Sequence, residues 1–446
     1  MNKEGKTSIT ILTFIFTLLC INVSAIAQDA KKWTLRECID YAIANNIEVK
    51  QSEINVKSTR EDLMQAKASK LPSLGFSSAQ NFIAQKNENS NGDFISKGSY
   101  SGSYALNTSI TLYNGGKLSQ NQKQQNIAVK IDELSLDERQ NSIEMSVTQA
   151  YLEILYANEN LKTLKKSVEL SEIQTKRTKA LYEAGAKSSV DYAQMEAQLS
   201  TDKYQLTVGE NNLAQSILTL KQLLEIDVNE EFSPYFPNPE ELSVPEELPE
   251  LKSVYEAALE GRPEVKSSIL QIESAKVGEK IARADYLPSL TASASIGTGN
   301  ISGTNYSLYN QFENKLNENV GISLSIPIFS KRSTMTAVNK AQYQIDMAEL
   351  SSVNVKKTLL STIESLYQDA SSAQGRYKAA VENMKYTELS YTQVQEQYNE
   401  GIKNTVELLS ERQAYLSAMQ EMSQSKYQAL LSLKLLQFYQ NQPINL

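Results

Sequence analysis

The chain has 446 residues, enough for two or three domains with a full core, and its 44 basic and 52 acidic residues give a formal charge of −8. That balance disfavours nucleic acid as a partner. With no histidine, no Gly-x-Ser-x-Gly elbow and no phosphate-binding glycine loop, no catalytic residue, metal site or cofactor is expected, and the chain reads as a non-enzyme.

Residues 1 to 27 place Lys3 and Lys6 before an apolar run from Ile9 to Val23 and then Ala25-Ile26-Ala27, the pattern of a cleavable secretory signal with Gln28 as the mature start. Leu18 and Leu19 before Cys20 are too large for a lipoprotein site. Cys38 is then the one mature cysteine, so no intrachain disulfide is expected and a buried thiol is its natural fate. Beyond the signal no apolar stretch reaches about 18 residues, so any membrane crossing falls to strands.

From there the chain reads as the same unit twice, at a constant offset of 216 residues: 28–226, then a linker over 227–250 rich in proline and acidic residues, then 251–446. Thr34-Leu35-Arg36-Glu37, which fits a capping box, opens the first unit and Glu250-Leu251-Lys252-Ser253 the second. Leu71-Pro72-Ser73-Leu74 returns as Leu287-Pro288-Ser289-Leu290, and Tyr151 as Tyr367.

Each unit then holds a strand pair, about 73–113 and 289–329. Tyr104, Leu106, Thr108, Ile110 and Leu112 alternate with small, mostly polar residues, as do Val320, Ile322, Leu324, Ile326 and Ile328. Such alternation suits a strand between lipid and a wet lumen, and equally a soluble sandwich strand. Leu74 to Ile83 and Leu290 to Ile296 supply the partner strands, and the Asn-, Ser- and Gly-rich stretches Ala84 to Gly98 and Gly297 to Asn317 read as exposed loops. Tyr104, Tyr113, Tyr306 and Tyr309 fall near the strand ends, where an aromatic belt would lie. Four strands cannot close a barrel alone, so strands that span require an oligomer.

A long hairpin ends each unit, over 117–226 and 331–440. Ile143, Val147, Ala150, Ile154, Ala157, Leu161, Leu164 and Val168 follow a 4-3 spacing, repeated at Leu359, Ile363, Leu366, Ala370, Ala373, Tyr377, Ala380 and Met384, which marks coiled-coil seams. The helices reverse at Gly185 and Gly401, each suited to a left-handed cap.

With Leu112-Tyr113-Asn114-Gly115-Gly116-Lys117 at a strand-to-helix exit, two Leu-Pro-Ser-Leu motifs and two Tyr-x-x-Gly turns with an acidic residue six positions after the glycine, the chain resembles the TolC-like outer-membrane efflux proteins over nearly its whole mature length. The resemblance implies a mainly α fold with a transmembrane β part: a homotrimer in which four strands per subunit form a 12-stranded barrel in outer-membrane lipid and the helices a periplasmic α-barrel. The residues alone also permit an 8-stranded dimer.

It further implies an exit duct of a tripartite efflux or type I secretion system, working with a periplasmic adaptor and an inner-membrane pump or transporter. The adaptor-docking tips would be Tyr182, Gly185, Ser188, Val190 and Asp191, with Tyr398, Gly401, Asn404, Val406 and Glu407. Asp191 and Glu407 could gate or select cations, or simply cap their helices. Gly115 and Gly116 would form the strand-to-helix exit; the second exit, Pro327-Ile328-Phe329-Ser330-Lys331-Arg332, lacks the double glycine and is expected to bend differently. A periplasmic coiled-coil adaptor or scaffold is the alternative, though adaptors carry one hairpin rather than two; a pore-forming toxin is a third reading.

Overall fold

The structure is a computed structural model that describes residues 32–88, 94–238, 242–245, 247–444 and 446. The signal read in residues 1 to 27 lies outside them. In chain order the elements are β1 (Lys32–Trp33), α1 (Leu35–Asn45), α2 (Ile47–Ala68), β2 (Ser73–Glu88), β3 (Phe94–Asn114), α3 (Lys117–Glu183) and α4 (Ser189–Leu223). Then follow β4 (Ser233–Pro234), α5 (Leu251–Gly261), α6 (Pro263–Ala284), β5 (Ser289–Ile301), α7 (Leu308–Asn314), β6 (Asn317–Ser325), α8 (Ser333–Asn399) and α9 (Thr405–Tyr439). The four helices α5, α6, α8 and α9 begin 216 positions after α1, α2, α3 and α4, and each matches its counterpart in length.

The long helices α3 and α8 have 67 residues each, about 100 Å at 1.5 Å per residue. Every position of the two 4-3 seams is buried or half-buried, with Val147, Ile154 and Ile363 fully so. The neighbours of α3 change along its length. Its strand-proximal half lies between α2 and α6, with α8 beyond α6; its tip-proximal half packs against α4 and α9, with α8 beyond α9. One protomer is thus a sheet of helices with open edges, α8 on one side and α2 and α4 on the other.

Strands β2-β3-β5-β6 form one antiparallel sheet in that order, with β2 and β6 as edges. Register puts Phe76, Leu106 and Ile296 on one face, with Leu74, Val320, Ile322 and Leu324. The opposite face carries Ser73, Ser77, Asn107, Ser109, Ser293, Ser295, Ser323 and Asn319, small and uncharged throughout this span.

Three expectations need correction. Strands β2 and β3 run on through the expected loop, pairing Ala84 with Gly98 and Glu88 with Phe94, because an antiparallel ribbon satisfies its own backbone whatever its polarity. Within Gly297 to Asn317 the chain extends β5 to Ile301 and forms helix α7, capped by the Ser307 side chain. And β6 ends at Ser325, short of Ile326 and Ile328, since Pro327 has no N–H to give the ladder.

The stretch between the two units is packed rather than loose. Strand β4 pairs in parallel with β1, the Tyr235 N–H donates to Trp33 O at 2.8 Å, and Phe232, Phe236 and Leu242 join the central core. Tyr151, 1% exposed, donates to Tyr235 O at 2.6 Å and lies 3.1 Å from Trp33 O, so it pins the segment as well as packing the seam. Burial raises its pKa. Cys38 is fully buried in the same core.

The two strand-to-helix exits bend alike, against expectation. Gly115 and Gly116 sit at φ 68° and 80°, and Lys331 and Arg332 take the same left-handed conformations at 48° and 67°. A Cβ at Gly115 would lie 2.8 Å from Ala284 O, so that site demands glycine, whereas the Lys331 and Arg332 side chains have open solvent. Left-handed backbone costs a non-glycine residue roughly 1–2 kcal/mol. The paired changes should therefore diverge: Lys331→Gly raises thermal stability, Gly115→Ala lowers it, both readable from thermal melting of the purified protein.

Candidate functional site

The hairpin tips are built the same way twice. Gly185 and Gly401, at φ 77° and 79°, reverse the chain, and the N–H groups of Ala186 and Ile402 reach back to Leu181 O and Gln397 O at 2.8 and 2.9 Å. The next helix starts with a capping box: the Asp191 N–H donates to Ser188 Oγ at 3.1 Å while the Asp191 carboxylate accepts from the Ser188 N–H at 3.2 Å. Asn404 and Glu407 repeat the exchange at 2.9 and 3.1 Å.

Beyond capping, Asp191 joins the two hairpins. Its free oxygen accepts from Thr405 Oγ1, at the start of α9, at 2.6 Å. Lys187 lies over the Tyr398 ring at 4.4 Å, Thr178 and Tyr398 hydroxyls meet at 3.3 Å, and Arg177 donates to Asn399 Oδ1. Hydrogen bonds from Thr405 and then Ser188 hold the Asp191 carboxyl below the usual range, and Lys403 with the Asn404 N–H does so for Glu407.

The ten tip residues do not form one cluster. Tyr398 is 5% exposed and knits the hairpins together; Tyr182, at 42%, stacks on Tyr192 at 5.8 Å on the outside. Val190 and Val406 stand exposed at equivalent places, and Asn404 and Glu407 make no contact across the hairpins comparable to that of Asp191.

Above the tip the seam of α3 continues at the same spacing but turns polar: Ser171, Thr175 and Thr178 are buried where Ile and Leu stood higher up. Here lies a feature that reading the sequence missed. Arg412 of α9, 2% exposed, donates through Nη2 to Asp202 Oδ2 of α4 at 2.6 Å, and to Ser167 O and Oγ at 2.8 and 2.7 Å. Ser171 and Gln198 also donate to Asp202, itself 6% exposed. One buried ion pair thus ties three helices. Its signal was a broken repeat: 216 positions away, Arg412 faces Glu196 and Asp202 faces Ala418.

An apolar-faced sheet continuous with a long helical bundle, reversed at two capped tips, is the build of an outer-membrane channel with a periplasmic tunnel. Among the described residues no helix is long and apolar enough to cross a membrane. A sequence model for the family described as outer membrane efflux protein matches residues 38–225 and again 254–441, and the chain belongs to that family.

It is 22% identical to the outer membrane protein TolC of Escherichia coli over 432 residues, covering 93% of this chain and 83% of that one. With the alkaline protease secretion protein AprF of Pseudomonas aeruginosa it shares 28% over 183 residues, 41% of this chain and 37% of that protein. Among solved structures, the Campylobacter jejuni CmeC outer membrane channel superposes with a TM-score of 0.72 at 21% identity, over 90% of this chain and 84% of that one. The relatives are thus a secretion protein, an outer membrane protein and an outer membrane channel, and the outer membrane is where this chain resides.

Proposed function

We propose that three copies of this chain close into one passive duct, which carries solutes or polypeptides delivered by a periplasmic adaptor and an inner-membrane pump to the exterior, without enzymatic chemistry. The observation that carries the reading is that the sheet and the helical layer end at matching edges. Strand β6 runs into α8 and β2 follows α2, so one neighbour contact would pair β6 with β2 and pack α8 on α2 and α4.

Both helical edges are apolar and uncovered: Ile54 and Met64 on α2, Tyr343, Met347, Leu350 and Val353 on α8 are each more than half exposed. Lone exposed residues are ordinary, but a row at helical spacing marks an interface. The open strand edges give the same message, since lipid tolerates no unpaired edge. Leu74, Phe76, Ile322 and Leu324 would then face lipid, and the serine- and asparagine-rich face the lumen. That uncharged lining leaves charge selection to the helical part, where Asp191 and Glu407 lie at the tips beside Glu183 and Glu400.

The test is oligomer mass and single-channel conductance of protein purified from membranes and placed in a planar bilayer. A trimer with small, steady, cation-preferring conductance supports the reading; a water-soluble monomer without conductance defeats it and leaves the periplasmic scaffold. Reversal potentials showing anion preference would remove the acidic-tip selectivity while leaving the duct.

A further inference from the structure

Helix α7, in the connection between β5 and β6, does not extend away from the sheet. The Phe312 ring meets the Tyr104 ring edge-on at 5.5 Å, and Thr298 Oγ1 donates to Phe312 O at 2.7 Å. Gln311, 7% exposed, accepts from the Ile301 N–H at 2.8 Å and donates to Tyr306 O at 3.1 Å, which fixes the helix in place. Tyr104 and Thr298 are register partners, one step along the same face from the Leu106 and Ile296 pair. The helix is therefore folded down onto the apolar face of the sheet.

Having packed one side there, α7 leaves Leu308 at 60% and Tyr309 at 74% exposure pointing outward, with Tyr306 just before its cap at 65% and Leu316 just beyond it at 56%. Its seat over β3 and β5, the two inner strands, keeps it away from the β2 and β6 edges, where a neighbouring copy would pair.

Geometry says what covers it. On β5 the apolar face runs from Leu290 to Ile296, roughly 20 Å along the strand at 3.3 Å per residue. With a strand tilt near 40° that spans only about 15 Å of membrane depth, against the roughly 25 Å band of such barrels. Below the strands, Leu287, Ile328 and Phe329 are exposed as well. Above, β5 turns polar at Thr298 and Asn300 and β6 at Glu318, while Phe82 and Tyr100 continue the apolar face on β2 and β3; it is over the polar stretch of β5 that Leu308 and Tyr309 of α7 and the preceding Tyr306 lie.

We propose that α7 is an interfacial anchor: Tyr306, Leu308 and Tyr309 insert among outer-leaflet lipids at the boundary of headgroup and acyl chain, completing the upper rim of the band. Tyrosine suits that depth, with an apolar ring and a hydroxyl for the headgroups. The inference rests on the sheet being the membrane-crossing part, and the test separates the two.

Full-length Tyr309→Trp, Tyr306→Trp and Val320→Trp proteins are reconstituted in phosphatidylcholine vesicles brominated either near the headgroup or deep in the chains, with the signal of the native Trp33 subtracted. Val320 sits on the lipid-facing side of β6 at 84% exposure and reports the barrel itself. The anchor predicts blue-shifted emission at 306 and 309, lost most to shallow bromine. Quenching at 320 with water-like, unquenched emission at both 306 and 309 overturns the anchor alone; no quenching at any of the three overturns the membrane reading of the sheet.

Discussion

Replacing Arg412 by leucine while Asp202 stays is expected to destabilise the tip-proximal bundle by about 3–5 kcal/mol, the usual consequence of leaving a buried charge without its partner. Arg412 and Asp202 are 2% and 6% exposed, so water cannot take the place of the guanidinium without opening the bundle. The serine and glutamine donors that remain on Asp202 satisfy its lone pairs but not its charge.

Changing both, Arg412→Leu with Asp202→Leu, should cost far less, and could be neutral, because the pair repays its own desolvation only in part. The comparison is a double-mutant cycle read by denaturant unfolding of solubilised protein, with hydrogen exchange over 160–205 and 405–420 to localise the loss. A single-mutant cost under about 1 kcal/mol would mean a solvated pair, the value typical of surface bridges. The role expected of the pair is specificity rather than net stability: a polar seam of serines and threonines has little register preference, and one fixed ion pair sets which turn of α9 meets which turn of α4.

The contrast between this pair and the rest of the fold shows what a sequence reading can and cannot reach. Duplication was legible because each helix and its partner answer to the same apolar seams, so Val147 and Ile363 announce themselves at one offset. Arg412 and Asp202 lie on different helices, and their meeting depends on how α4 and α9 pack against α3, which no local pattern records. Much the same holds for α7: Asn, Ser and Gly composition suggests a loop, and it takes the seat of Phe312 on Tyr104 to make seven residues helical. At Lys331-Arg332 the polypeptide adopts the glycine conformation without glycine, because the strand-to-helix connection requires that turn and tertiary packing outweighs a local cost.

At the tip itself, Asp191→Ala is expected to give the largest rise in conductance of any single change there, with Glu407→Ala smaller and additive. Asp191 holds two things at once, the cap of α4 and the tie to Thr405 on the other hairpin, whereas Glu407 caps α9 and pairs with Lys403 on its own chain segment. A cap contributes about 1 kcal/mol. The half-buried cross-tie is worth roughly as much. The cap lies within one hairpin and persists whether the tip is open or closed, so only loss of the tie, about 1 kcal/mol, shifts the ratio of closed to open tips, about 5-fold.

Thr405→Val isolates the tie, since it removes the hydroxyl donor and leaves the cap and the charge. If it raises conductance by part of the Asp191→Ala effect, the tie restrains the tip; if it changes nothing while Asp191→Ala still acts, charge or capping is responsible. Acid gives an independent check with a defined sign. The Asp191 carboxyl is held below its ordinary value of 3.8 in the tied tip, so its contribution is complete above 3.8 and disappears as pH falls through the depressed value. Conductance should therefore stay flat from neutral pH down to about 4 and rise only below it. A rise beginning between pH 5 and 7 would place the restraint on some other group than Asp191.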